Sequence, residues 1–140
     1  MAEENPATYA RRFLAFDASD PSDVQLKLQG LPAAYFGLAE YKAQVDNQIG
    51  GLRIQIDQRK ASLYGQYREE KERGAKLTEA SIEAMIKIDA TLGSMWSRLA
   101  TLETSARLLF DLMDSLRMTS RHLQVVAGNQ QSERMMAGRS

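Results

Sequence analysis

The residues best suited to chemistry form a run of cations and tyrosines in the middle of the chain. The segment from Arg53 to Lys76 contains seven lysines and arginines but only four aspartates and glutamates. Lys60 and Arg68 lie one helical turn to either side of Tyr64, so a helix would set cations beside an aromatic ring. Such a surface can follow a phosphate backbone and stack unpaired bases. The residues that could make such contacts are Arg53, Arg59, Lys60, Tyr64, Tyr67, Arg68, Lys71 and Arg73.

The same run has a purely structural interpretation. Tyr64 and Tyr67 could pack at the edge of a helix seam while the charges solvate a long helix. The chain has 18 basic and 18 acidic residues and a formal charge of zero. The net charge of the whole chain therefore gives no sign of a polyanionic partner. A binding site for a polyanion must come from a local excess of positive charge.

Residues for catalysis or metal binding are scarce. The chain has no cysteine and one histidine, His122, which argues against thiolate sites, histidine clusters and a serine triad. Acids such as Asp111 and Asp114 would lie on solvated helix faces, whereas general acid or base catalysis requires a desolvated cleft. We predict no enzymatic activity, no catalytic residue, no metal and no cofactor.

The segment Gly74-Ala-Lys-Leu-Thr78 has a superficial likeness to a phosphate-binding loop. That loop needs a glycine five residues before the Gly-Lys pair and a preceding buried strand. Here Gly65 lies nine residues upstream and a charged helix precedes the turn. We interpret Gly74 as the end of one helix and Thr78 as the N-cap of the next.

A long helix over residues 32–73 is predicted to carry the cations and tyrosines. It starts after Leu31 and has an apolar heptad seam that Gly50-Gly51 and Arg59 interrupt. We interpret the glycines as a bend or a close backbone contact rather than an active site. At about 1.5 Å per residue, such a helix requires an elongated or assembled molecule. The seam residues are Leu38, Val45, Ile49, Leu52, Ile56 and Leu63.

A second helical arm over residues 78–127 has the most regular heptads. Trp96 and Phe110 lie beside its seam and widen the apolar face beyond what one partner helix covers. We predict self-association, although the N-terminal helix could instead fold back over this face. The residues predicted for oligomerisation are Leu92, Met95, Trp96, Leu99, Leu102, Leu109, Phe110, Met113, Leu116 and Leu123.

The remaining segments are short. Asn5 and Pro6 predict a helix over residues 6–16, residues 17–23 form a polar connector, and residues 129–140 form a disordered tail after a cap at Gly128. The fold predicted is an all-α antiparallel helical hairpin, with residues 1–128 as one domain. The sequence lacks a signal peptide and a membrane span, which predicts a soluble cytosolic protein.

The order of these elements resembles the UvsY-like recombination mediators of bacteriophages over about residues 35–127. The resemblance rests on the basic, tyrosine-bearing end of the first long helix, the motif Ile86-Lys87-Ile88-Asp89 with Trp96 shortly after it, and a closing helix. The positions matched in that closing helix are Asp114, Arg117, Ser120 and Arg121.

The resemblance implies a non-enzymatic homo-hexamer or homo-heptamer with a ring-like form. Such a protein binds single-stranded DNA, helps displace the single-strand-binding protein and loads a RecA-type recombinase. It would act in the cytoplasm of the bacterial host. The family's basic pair falls here at Tyr64 and Gln66, so Arg59, Lys60 and Arg68 would carry the DNA contact instead. The alternative hypothesis is a coiled-coil scaffold or adaptor that binds no nucleic acid.

Overall fold

The computed structural model of the chain describes residues 4–138, and helices make up most of this part. No strand occurs within those residues, which confirms the predicted all-α class. None of the helices between residues 4 and 138 is both long and apolar enough to cross a membrane. The helices are α1 (Pro6–Arg11), α2 (Pro21–Glu72), α3 (Glu79–Lys87) and α4 (Ala90–Ala137).

The chain divides into two compact units, and the single domain expected for residues 1–128 stays a prediction. Of the described residues, 4–44 and 107–138 belong to unit 1 and 45–106 belong to unit 2. Within unit 2, α2 and α4 run antiparallel, because Arg53 pairs with Glu103 whereas Arg59 pairs with Asp89. Within unit 1 they are also antiparallel: residue 35 of α2 meets residue 117 of α4, whereas residues 25 and 28 lie beside residues 124–134.

The first helix begins as predicted and ends early. Asn5 caps α1 by accepting the N–H of Ala7 at 2.8 Å, with Pro6 in the first turn. The helix ends at Arg11 rather than at residue 16, and Phe13 is buried just beyond it. A Cβ built on Gly30 would lie 2.5 Å from the Phe13 ring, so the absence of a side chain at Gly30 makes room for this contact.

The second helix begins at Pro21, eleven residues before the predicted start at residue 32. The Asp20 carboxylate accepts the N–H of Ser22 at 3.0 Å, and Pro21 occupies the first helical position. Pro32 therefore lies inside the helix, at a cost of roughly 3 kcal/mol. Burial of Val24 and Leu31 on this stretch of α2 offsets that cost.

The glycine pair in α2 does not interrupt it. Residues 50 and 51 are helical, and among the described residues no atom apart from the adjoining backbone of α2 and the two chain neighbours lies within 4 Å of a Cβ built on Gly50 or Gly51. Within residues 4–138 the pair therefore makes no close contact with another element, and the bend that was the other interpretation stays a prediction. The helix tolerates both glycines because Ile49 and Leu52 on either side are buried.

The turn between α2 and α3 confirms the prediction for residues 73–78. Gly74 has a φ of 104°, its N–H bonds to the Lys71 carbonyl, and the Ala75 N–H reaches the Glu70 carbonyl, which together terminate α2. Thr78 and Ser81 then form a reciprocal cap, since the side chain of each accepts the backbone N–H of the other.

The second arm begins at Thr78 as predicted, but it is interrupted along its length and ends later than predicted. It consists of two helices, because α3 ends at Lys87 and Asp89 starts α4 by accepting the Leu92 N–H at 3.0 Å. The predicted tail is helical as far as Ala137, and residues 139 and 140 lie outside the described residues. Gly128 is therefore not a cap. Gln, Glu, Arg, Met and Ala in the tail favour helix, and the Gln130 amide donates to the Ala18 carbonyl at 2.9 Å.

Candidate nucleic-acid interface

An open groove of 530 Å³ in unit 2 brings together residues from three helices. We call it the Trp96 groove. Its aromatic and apolar surface comes mainly from Tyr64, Ile86 and Trp96, and it carries two lysines and one carboxylate. The residues that line it are Lys60, Ala61 and Tyr64 of α2, Glu83, Ile86 and Lys87 of α3, and Trp96 of α4.

The floor of the groove rests on the core of unit 2. Leu52, Ile56, Leu63 and Leu92 form this buried cluster, and Trp96, Ile86 and Tyr67 are among the half-buried side chains packed against it. Tyr67 is thus partly a packing residue. Because Trp96 packs against this cluster on one side and is only partly buried, its position is fixed while part of the ring stays accessible.

Lys60 links the two long helices at this groove. Its ammonium lies 5.5 Å from the centre of the Trp96 ring, within the range of a cation–π interaction. Within residues 4–138 Lys60 makes no ion pair, so its positive charge is not offset by a carboxylate contact. The groove therefore combines an accessible indole with an available cation.

Tyr64 is held in place by a three-residue network. Its hydroxyl donates to Glu79 and accepts from Arg68 at 3.0 Å, and the Arg68 guanidinium lies 4.7 Å from the ring centre. The hydrogen bond to Glu79 raises the pKa of Tyr64, and the same bond lowers the pKa of Glu79. Arg68 also lies 3.4 Å from Glu79, so part of its charge is already compensated.

Arg59 forms an ion pair with Asp89 of the same chain. Its Nε and Nη2 donate to the two Asp89 oxygens at 3.2 and 3.0 Å, and the side chains are 35% and 15% exposed. The hydrogen bonds between Arg59 and Asp89 lower the pKa of the Asp89 carboxyl and raise the pKa of the Arg59 guanidinium. Arg59 thus interrupts the apolar seam in order to reach the N-cap of α4, and its charge is largely compensated.

The other predicted cations differ in how firmly they are held. Arg53 pairs with Glu103 at 2.9 Å, but both side chains are well exposed, and such pairs contribute little. Lys71 and Arg73 are exposed and make no ion pair within the described residues. The eight residues predicted for DNA contact therefore separate into available cations, compensated cations and two partly packed tyrosines.

Lys87 is a lining residue that the sequence prediction did not include. It is exposed on α3 and faces the groove that Lys60 and Trp96 also line. The signal was present, since Lys87 belongs to the Ile86-Lys87-Ile88-Asp89 motif, but no spacing rule connects it to Lys60. Only the packing of α3 against α2 brings the two lysines to one groove.

The residues predicted for oligomerisation occupy three environments. Leu92, Leu109, Leu116 and Leu123 are buried inside the chain, where they form its own core. Phe110 is 53% exposed and stays available to a partner. The half-buried members are Met95, Trp96, Leu99, Leu102 and Met113.

Comparison with known proteins gives no relative: neither the protein-family models, nor the curated proteins, nor the solved structures contain a match to this chain. The resemblance to the UvsY-like mediators therefore stays a prediction from the sequence.

Proposed function

We propose that this chain binds single-stranded DNA through the Trp96 groove and acts as a non-enzymatic recombination mediator. The observation that carries the proposal is the meeting of Lys60, Lys87, Tyr64 and Trp96 around one accessible groove. Single-strand-binding surfaces combine cations that follow the backbone with aromatic rings that stack on bases. Both components are present here within one unit.

In this proposal an unpaired base enters the groove and stacks on Trp96. Stacking of this kind contributes about 1–3 kcal/mol per base and tolerates any base. The ammonium groups of Lys60 and Lys87 contact the flanking phosphates, and Lys71 and Arg73 extend the basic surface to the end of α2 and the turn that follows it. Arg59 stays bound to Asp89, so it supports the fold and takes no part in DNA contact.

One groove per chain gives weak binding, so the proposal includes assembly. A hexamer or heptamer with a ring-like form repeats the groove, and many weak contacts along one strand raise the overall affinity far above that of one site. The hairpin and the ring rest on the heptads and the family resemblance. The roles in displacing single-strand-binding protein and loading a RecA-type recombinase rest on the same resemblance.

A second function, a coiled-coil scaffold without nucleic-acid binding, is favoured by one observation. Arg53, Arg59 and Arg68 each pair with a carboxylate of their own chain. If the remaining cations only solvate the helices, the chain has no net attraction for phosphates. This alternative predicts assembly in solution and no retention of an oligonucleotide at any salt concentration.

The distinguishing experiment is fluorescence anisotropy of a labelled oligothymidine at low and high salt. We expect binding at low salt, with a logarithmic slope of about −0.7 per neutralised phosphate. The variants K60A and K87A should each weaken binding several-fold. The variant R98A, which removes an exposed cation of unit 2 outside this groove, is the matched control and should bind like the parent. Absence of binding at low salt would support the scaffold.

A further inference from the structure

A second groove, of 540 Å³, lies in unit 1 and has a different composition. We call it the Arg117 groove. Its cations are both arginines, it has two aromatic side chains, and no carboxylate is among the residues that line it. These residues are Leu31, Pro32, Tyr35 and Phe36 of α2, and Arg117, Ser120, Arg121 and Gln124 of α4.

Arg117 is oriented by Tyr35 without losing its charge. Its guanidinium lies 5.3 Å from the centre of the Tyr35 ring, and its Nε and Nη2 both donate to the Tyr35 hydroxyl, the former at 2.9 Å. A phenol is a neutral acceptor, so the arginine keeps its full positive charge and its other N–H donors. Asp114 lies one turn away on α4, but no ion pair joins it to Arg117 in residues 4–138.

Arg121 is exposed one helical turn beyond Arg117. Within the described part of the chain it makes no ion pair and no hydrogen bond through its side chain. The groove thus presents two uncompensated guanidinium groups a single turn apart. Guanidinium forks match the geometry of carboxylates and bind them in a bidentate manner.

The apolar part of the groove is also accessible. Phe36 is 65% exposed, Pro32 is exposed beside it, and Leu31 is buried beneath them. Tyr, Phe and Arg are enriched at protein–protein interfaces, whereas Lys is depleted there. By this criterion the residues of the Arg117 groove are typical of a peptide-binding surface. The Trp96 groove differs because its cations are two lysines.

We propose that the Arg117 groove binds an acidic peptide segment of a partner protein, with one large apolar side chain next to its carboxylates. The apolar side chain packs against Phe36 and Pro32. Carboxylates of the segment pair with Arg121 and with the free donors of Arg117. The positive charge of the lining and its lack of acids select this partner. The proposal does not depend on DNA binding, because none of these residues lines the Trp96 groove.

The test uses the full-length chain and a fluorescein-labelled synthetic peptide in which a run of aspartates precedes a phenylalanine. A control peptide has asparagine in place of every aspartate. We expect the acidic peptide to bind at low salt, and the asparagine peptide to bind at least about tenfold more weakly. The variants R121E and F36A should each raise the Kd of the acidic peptide by about tenfold or more.

The matched control is R107E, which reverses an exposed cation of α4 in the same unit but outside the groove. It should change the Kd by less than about threefold. Both R121E and F36A change exposed side chains, so each should unfold at the temperature of the parent. Equal binding of the two peptides would overturn the proposal, and so would equal effects of R107E and R121E. A loss of oligothymidine binding in R121E with unchanged peptide binding would assign the groove to nucleic acid and also overturn it.

Discussion

Arg59 and Asp89, thirty residues apart in the sequence, meet in two hydrogen bonds of 3.2 and 3.0 Å. The same carboxylate accepts the Leu92 N–H and so begins α4. One contact therefore joins α2 to the start of α4 inside unit 2. This explains why a charged residue occupies an otherwise apolar seam.

The first prediction concerns this pair. R59A and D89A should each lower the free energy of unfolding, because either change leaves a partly buried charge without its partner. The double variant should lose less than the sum of the two single losses. Urea unfolding of the four proteins measures this coupling. The exposed pair Arg53–Glu103 is the control, and its coupling should be much smaller. Additive losses at residues 59 and 89 would contradict the assigned role.

The second prediction is the pH dependence of that pair. The pKa of Asp89 is lowered in the folded chain from its ordinary value of 3.8, chiefly by the hydrogen bond from Arg59. Its contribution is therefore complete above pH 3.8 and is lost as the pH falls through the lower folded value. The stability difference between parent and D89N should be constant near neutral pH and shrink below pH 3.8. A difference that persists unchanged in acid would be inconsistent with an ion pair.

Local signals predicted some features of this fold well. Gly74 and Thr78 were identifiable because a left-handed residue and an N-cap depend only on their neighbours in sequence. Pro32 was misleading because a local rule predicted a helix start, whereas burial of Val24 and Leu31 continues the helix through it. Gly128 likewise predicted the end of a helix, whereas α4 continues through it to Ala137.

Only part of the candidate site could be predicted from the sequence. Tyr64 and Lys60 share a helix, and their spacing alone places them side by side. Lys87 and Trp96 lie on other helices, and no pattern in one helix can specify which residues of another will face it. The ion pair between Arg59 and Asp89 could not be predicted for the same reason, because it depends on the register between α2 and α4.

The third prediction compares glycines within α2. G50A and G51A should each stabilise the chain by about 1 kcal/mol, because both residues are helical and a methyl group would collide with no other part of the described chain. G30A should instead destabilise it, since its Cβ would collide with the buried Phe13 ring. Thermal unfolding of the three variants gives the sign of each effect. If G50A and G51A stabilise the fold but weaken self-association, the glycine surface contacts another copy.

The fourth prediction concerns the helical C-terminal segment. Residues 129–137 belong to α4, so their Cα chemical shifts should be displaced toward helical values. The Q130A variant removes the hydrogen bond to the Ala18 carbonyl, so the shifts of Ala18 should change while residues 129–137 stay helical, because alanine has a higher helix propensity than glutamine. Random-coil shifts throughout residues 129–137 in the parent would contradict the helix and support a disordered tail.

The most direct test of the central claim uses Trp96, the one tryptophan of the chain, as a reporter of its own groove. Emission from Trp96 is recorded while unlabelled oligothymidine is added at low salt, and the titration is repeated in K87A and at high salt. DNA binding at the groove predicts saturable quenching, weakened several-fold in K87A and reversed by salt. Unchanged Trp96 emission, under conditions where anisotropy shows the oligonucleotide bound, would contradict the claim and locate the DNA contact elsewhere.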